Sequence, residues 1–97
     1  MRLAEPTDFE ILQALSDGRR NNAANVARMI DKNRSYINTR FPILRDYGLV
    51  ERVGPSPNSG LYEITDKGRV VLELRDDYRS EDIDFEERVE ERLADRR

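Results

Sequence analysis

Apolar residues recur three and four positions apart along three segments in the first half of the chain, which predicts three helices. The segments begin near Thr7-Asp8, Asn22 and Asn33, whose side chains can each cap a helix. Asp17-Gly18 follows the first segment and is expected to end that helix. The residues predicted to face the core are Ile11, Leu12 and Leu15 in the first helix, Val26, Ala27 and Ile30 in the second, and Ile37, Phe41 and Leu44 in the third.

A proline lies inside the third predicted helix, at position 42. An interior proline costs about 3 kcal/mol and disfavours helical geometry at the preceding residue. We therefore expect either a kink near Phe41 or a break after which Pro42 opens a second short helix.

The spacing of the apolar residues changes at Gly48, from the three-to-four-residue spacing of a helix to a pattern typical of a strand. The segment from Leu49 to Val53 is predicted to be a strand, and Leu61, Tyr62 and Ile64 form the return strand. The glycine- and proline-rich segment 54–60 lies between them and predicts a turn. Together these segments form a β-hairpin.

A fourth helix is predicted after Thr65-Asp66, which can cap it, with Val71, Leu74 and Tyr78 on its inner face. A break at residues 79–82 separates it from a charged segment in which Phe85, Val89 and Leu93 are four residues apart. The sequence thus divides into a domain at 1–80 and a helical tail at 81–97. The narrow apolar stripe of the tail could pair with another chain, pack on helix four, or belong to a frayed helix in solution. The candidate dimer contacts are Leu74, Tyr78, Phe85, Val89 and Leu93.

The composition disfavours catalysis and metal binding. The 97 residues include no cysteine and no histidine, which removes thiolate and imidazole ligands, the cysteine nucleophile and the commonest general base. Acid pairs stay possible, but the carboxylates lie in charge runs that look solvated. We expect no enzyme activity and no cofactor. The sequence has no apolar run long enough to span a membrane and no signal peptide, so a cytoplasmic protein is expected.

Charge is distributed unevenly along the chain. The net charge is −3, yet residues 19–45 hold seven basic residues against one acid, which gives that segment about +6. The last 17 residues carry a net charge of −4. A basic segment within an acidic chain indicates an anionic partner, although scattered arginines could simply solvate two helices.

Several motifs resemble those of winged helix-turn-helix transcription regulators. NAANVARMIDKNRSYINTRFPILRDYGLV, residues 22–50, is similar to a helix-turn-helix followed by its first strand. YGLVE and LYEITDKG are similar to the exit from the recognition helix and to the return strand that leads into the last helix. NTRFP, YGLVERVGPSPNSGLYEIT and the arginine-rich acidic composition resemble small haloarchaeal regulators related to the phi-H-type phage repressor. The resemblance covers roughly residues 7–79 and not the tail.

The resemblance implies a mostly helical fold, with a three-helix core, a two-strand wing and a C-terminal helix. It also implies a repressor that binds double-stranded DNA as a homodimer and reads the major groove with the third helix. A recognition helix presents hydrogen-bonding side chains outward while its other face stays in the core. Asn38 suits adenine, arginine suits guanine and the Thr39 methyl suits thymine, whereas Tyr36 either faces outward or packs back on the core. The candidate base contacts are Arg34, Ser35, Tyr36, Asn38, Thr39 and Arg40.

Other residues are candidates for contact with the DNA backbone. Arg19, Arg20 and Asn22 precede the second helix and suit phosphate oxygens. In the wing, only Arg52 is basic, and Asn58 and Ser59 are the polar candidates near the tip. The sequence thus leaves contact between the wing and DNA open.

Two other functions remain open from the sequence. A winged helix can serve only as a protein-interaction module, with the acidic tail or helix four as its docking surface. A nonspecific nucleoid protein is disfavoured by the short positive surface and the acidic tail.

Overall fold

A computed structural model describes residues 1–56 and 59–96. Its helices and strands follow the predicted order, with the fourth helix divided into two. They are α1 (Thr7–Ala14), α2 (Ala23–Ile30), α3 (Arg34–Asp46), β1 (Val50–Val53), β2 (Leu61–Ile64), α4 (Asp66–Glu73), α5 (Arg75–Tyr78) and α6 (Phe85–Asp95).

The core lies where α1, α2 and α3 meet the hairpin and α4. The predicted inward-facing residues of the first three helices are buried, with the exception of Ile30, which is only partly buried. The small side chains of Ala23 and Ala27 are buried on α2 and allow α3 to approach closely. The buried stripe of α3 consists of Ile37, Phe41 and Leu44, as predicted.

Three of the four predicted helix caps are confirmed. The Asn22 side chain accepts a hydrogen bond from the Asn25 amide, and the Thr65 side chain accepts one from the Gly68 amide. The Asn33 side chain accepts from the amides of Ser35 and Tyr36. The prediction that Thr7 or Asp8 caps α1 is wrong. Both residues lie inside the helix and are buried, and no side chain caps it. The Asp8 carboxylate is occupied by a tertiary contact described below. The regular part of α1 also ends earlier than predicted, at Ala14, and a turn leads to Gly18.

Pro42 does not break the third helix, which is continuous from Arg34 to Asp46. The prediction of a second short helix opening at Pro42 is therefore wrong, while a bend within the helix stays a prediction. Proline lacks the amide that would donate to the carbonyl of Asn38, four residues earlier. Pro42 is solvent-exposed. Water can therefore satisfy that carbonyl, which reduces the cost of the missing hydrogen bond.

The two strands form an antiparallel hairpin in which Val50 pairs with Ile64 and Val53 pairs with Leu61. A short third segment joins them, because Asn21 and Tyr62 exchange both backbone hydrogen bonds, at 3.0 and 2.9 Å. The ring of Tyr62 also stacks on that of Phe41, with centroids 4.3 Å apart. These contacts attach the connector before α2 and the middle of α3 to the same strand.

The start of α4 packs directly on the exit from α3. Thr65 donates its amide to the carbonyl of Leu49 at 3.1 Å and its hydroxyl to the carbonyl of Gly48 at 2.6 Å. Gly68 permits this approach, since a Cβ there would lie 2.1 Å from the Leu49 carbonyl oxygen. A side chain at position 68 would thus force the helix away from the strand.

The tail is a helix that packs on α4 within the same chain, which is one of the alternatives left open by the sequence. Phe85, Val89 and Leu93 are buried, and Asp84 caps the helix through the Glu87 amide. Salt bridges from Glu73 to Arg92 and Arg96, and from Lys67 to Glu90, border the contact. Within residues 1–56 and 59–96, no helix is long and apolar enough to cross a membrane.

Candidate nucleic-acid interface

The turn between α2 and α3 fixes how α3 is presented. Asp31 ends α2 in a left-handed conformation, with φ of 55°, and its amide donates to the carbonyl of Ala27. The Lys32 amide donates to the same carbonyl at 2.9 Å. Asn33 then accepts from the amides of Ser35 and Tyr36, at 2.8 and 3.2 Å, and so starts α3 at once. The connection is therefore short and hydrogen-bonded at both ends.

The first two turns of α3 present a polar face to solvent. Of the six side chains predicted to contact bases, five are exposed. Tyr36 is among them, with 41% of its surface accessible, so its ring does not pack back on the core. The Thr39 hydroxyl donates to the carbonyl of Ser35 at 3.0 Å, which fixes its rotamer and leaves its oxygen as an acceptor. The five exposed residues are Arg34, Ser35, Tyr36, Asn38 and Thr39.

Arg40, the sixth predicted base contact, is only partly exposed and is engaged within the chain. Its Nε and Nη2 donate to the two carboxylate oxygens of Asp8, at 3.0 and 2.8 Å. Asp8 is fully buried and also accepts the Ala4 amide at 2.7 Å. The hydrogen bond to Asp8 raises the pKa of Arg40 above its ordinary value, against the opposing effect of burial. This bidentate pair joins α3 to the start of α1 and occupies the guanidinium that the sequence had suggested for guanine.

The predicted phosphate contacts flank the start of α2. The side chain of Arg19 is 84% exposed and lies 3.8 Å from Asp17, a weak pair at that distance. Arg20 lies 3.6 Å from Glu63 on β2. Asn22 uses its side-chain oxygen for the cap of α2, which leaves its amide nitrogen for a partner.

The wing is less suited to a polyanion than α3. Glu51 on β1 faces Glu63 on β2 across the hairpin. A hydrogen bond between these carboxyl groups raises the pKa of Glu51, and burial and the charge of Glu63 act in the same direction. Arg52 is exposed, whereas the Ser59 hydroxyl donates to the carbonyl of Val53 and is held within the loop. The predicted contact at Asn58 falls outside the described residues.

The side chains predicted to form a dimer are instead packed inside one chain. Leu74, Phe85, Val89 and Leu93 are buried. Tyr78 makes edge-to-face contacts with Phe9 and Phe85, and its hydroxyl accepts the Leu3 amide at 2.9 Å. The tail finds its apolar partner on α4, so these five residues do not form a free surface. A dimer that used them would require α6 to leave α4.

Comparisons with known proteins bear on the fold. No protein-family model matches the sequence, and no curated protein matches it either. The structure is similar to the oxidised form of MarR from E. coli, with a TM-score of 0.61 and 18% sequence identity. The similarity covers 93% of this chain but only 61% of that one, so the chain spans less than two thirds of the MarR chain. With the observed order of helices and strands, this similarity identifies the fold as a winged helix-turn-helix.

Proposed function

We propose that the chain is a sequence-specific DNA-binding transcription regulator that inserts the first two turns of α3 into the major groove. The observation that carries this proposal is the exposed face of Arg34, Ser35, Tyr36, Asn38 and Thr39, which contains no acid. The opposite face of the same helix is buried, so α3 has a fixed orientation on the core. Such a helix meets the geometric requirement for reading base edges.

The roles of individual residues follow from their chemistry. Asn38 is the candidate for a bidentate pair with adenine, and Arg34, at the first position of α3, for guanine or a nearby phosphate. Arg19 and Arg20 would contact phosphates beside the start of α2. Arg40 is a positioning residue in this scheme, because its contact with Asp8 holds α3 against α1.

The regulator would act as a repressor by occupying DNA that RNA polymerase needs. A single α3 reads few base pairs, so specific binding is expected to require two chains on half-sites about 34 Å apart. Since the apolar side of α6 is already packed, the contact between the two chains would use other surfaces. The wing is expected to contribute little, because Glu51 and Glu63 would repel phosphates.

A matched pair of charge reversals tests this proposal against a protein-interaction function. Arg34 and Arg75 are both exposed, and each is the first residue of a helix. Arg34→Glu should weaken binding to a duplex from the chain's own promoter by at least about tenfold, whereas Arg75→Glu should change it less than about twofold.

Fluorescence anisotropy across a salt series, with a scrambled duplex beside the promoter duplex, measures both effects. Tighter binding to the promoter that only Arg34→Glu removes supports a DNA-binding regulator. Equal weak binding to both duplexes, unchanged by Arg34→Glu, would contradict the proposal and favour a winged helix that binds a protein.

A further inference from the structure

A groove with a volume of about 630 Å³ lies between α1, the end of α2 and α5. This volume is within the range of small-molecule sites, which are usually about 300–1,000 Å³. None of the lining residues belongs to the exposed face of α3. The groove is therefore a second candidate site, separate from the proposed DNA interface.

One side of the groove is apolar. Phe9 and Ala14 line it from α1, and Met29 and Ile30 line it from the last turn of α2. Met29 is 54% exposed and, with Tyr36, is one of two large apolar side chains open to solvent among the described residues. A flexible thioether beside an aromatic ring suits an apolar ligand of variable shape.

The charges around the groove favour a cation. Four carboxylates line it against two guanidinium groups, and one guanidinium, that of Arg79, is held by Glu5 at 2.6 Å. Asp31, Asp76 and Arg75 form no ion pair with any of the described residues, and Glu10 is paired with Lys32, so the rim keeps one more negative charge than positive charges. A ligand with one positive charge would thus complement the rim, whereas an anion would meet a net negative field.

Glu10 is the candidate hydrogen-bond acceptor for a ligand in the groove. Its Oε1 is buried and accepts no hydrogen bond within residues 1–56 and 59–96, but it forms an ion pair with Lys32, whose Nζ lies 3.5 Å away. The side chain as a whole is 37% exposed. A rotation of the side chain that turned this oxygen toward a donor in the groove would give it the short hydrogen bond that Lys32 does not supply.

We propose that this groove binds a small organic ammonium ion, with an aromatic or aliphatic body against Phe9 and Met29 and its N–H groups directed at Glu10. The occupant is a small molecule with at least one ammonium proton. The proposal concerns the folded chain alone and does not depend on DNA binding.

The test uses the full chain labelled with nitrogen-15 and titrated with 2-(1-naphthyl)ethylammonium. Amide chemical shifts in two-dimensional NMR spectra report both affinity and location. We expect shifts clustered at residues 9–14 and 29–31 and a Kd on the order of 0.1–1 mM, which is usual for so small a ligand. Under the same conditions the alcohol 2-(1-naphthyl)ethanol should bind more weakly, and 1-naphthylacetate should bind least.

Two variants with a matched control locate the contacts. Met29→Lys places a cation on the apolar wall at an exposed position and should weaken ammonium binding about tenfold. Glu10→Gln should weaken it about threefold. Glu90→Gln removes the carboxylate of a similar pair, in which Lys67 lies 3.4 Å away on the other side of the molecule, and should have no effect.

Three results would overturn the proposal. The first is an absence of shifts at the groove up to about 5 mM probe, well above the expected Kd. The second is equal binding of ammonium and carboxylate probes, which would remove the role of the rim charges. The third is binding that Met29→Lys and Glu10→Gln leave unchanged, which would place the probe elsewhere.

Discussion

Helices α3 and α6 have similar caps and similar buried apolar stripes, but their solvent-facing sides differ in charge. Each begins with a side-chain cap, Asn33 or Asp84, and each buries three apolar residues on one stripe. The outer face of α3 is basic and hydroxyl-rich at its start, whereas the outer face of α6 is mainly acidic. The buried stripe determines that both helices pack on the core, and the outer face determines that only α3 suits a polyanion.

The largest expected effect is on the free energy of unfolding, and it distinguishes two arginines of α3. Arg40→Ala leaves the buried carboxylate of Asp8 without its partner and should lower the free energy of unfolding by about 3 kcal/mol. Arg34→Ala, at an exposed position of the same helix, should lower it by less than about 0.5 kcal/mol. Urea denaturation measures both.

A double-mutant cycle shows whether the loss of stability comes from the contact between Asp8 and Arg40. Asp8→Ala combined with Arg40→Ala should cost clearly less than the sum of the two single variants, because neither charge is then left buried alone. Additive losses, or a loss below about 1 kcal/mol for Arg40→Ala, would show that the contact does not hold α3 in place.

The next largest effect tests whether α6 packs within one chain or against a second copy. Leu93→Ala removes a buried side chain and should lower the free energy of unfolding by about 2 kcal/mol. Since the contact is within one chain, the loss should be the same at low and high protein concentration. A destabilisation that grows with protein concentration would instead place Leu93 at an interface between two copies, as the sequence pattern had allowed.

The smallest effect comes from the acidic pair on the wing. The pKa of Glu51 is raised, chiefly by its hydrogen bond with Glu63, so the folded chain holds this proton to a higher pH than the unfolded chain does. The resulting stabilisation is present below the ordinary glutamate pKa and is lost as the pH rises through the raised value. The stability of the parent chain, relative to that of Glu51→Gln, should thus fall as the pH rises from the ordinary glutamate pKa of about 4.3 through the raised pKa of Glu51. Denaturation curves that shift in parallel for both proteins would contradict this.

Local patterns in the sequence predicted much of the fold. The second helix was predicted to begin at an Asn22 cap and to face the core with Val26 and Ala27, and it does so, because the cap and the apolar stripe agree there. The hairpin was predicted because the period changes at Gly48 and turn residues fill the segment between the strands. Of the two alternatives at Pro42, the break was wrong, since tertiary packing of Phe41 and Leu44 on both sides of the proline holds the helix together, while the kink stays a prediction.

The local sequence patterns did not predict contacts between residues that are far apart in the sequence. Asp8 looked like a helix cap and Arg40 looked like a base contact, and only the fold brings them together across 32 positions. The stripe of Phe85, Val89 and Leu93 was visible, but periodicity does not specify whether its partner is α4 or another chain. The exposed face of α3 was predicted more completely, because residues on one side of a helix follow from its geometry alone.

The most direct test of the central claim is the effect of Asn38→Ala on discrimination between the promoter duplex and a scrambled duplex. Asn38 is exposed on α3, and Gln13→Ala removes a comparable exposed amide from α1 as a control. Fluorescence anisotropy should show that Asn38→Ala reduces the preference for the promoter by about 1–3 kcal/mol, with little change in binding to scrambled DNA. Gln13→Ala should leave both affinities unchanged. A preference that survives Asn38→Ala in full would contradict base reading through the exposed face of α3.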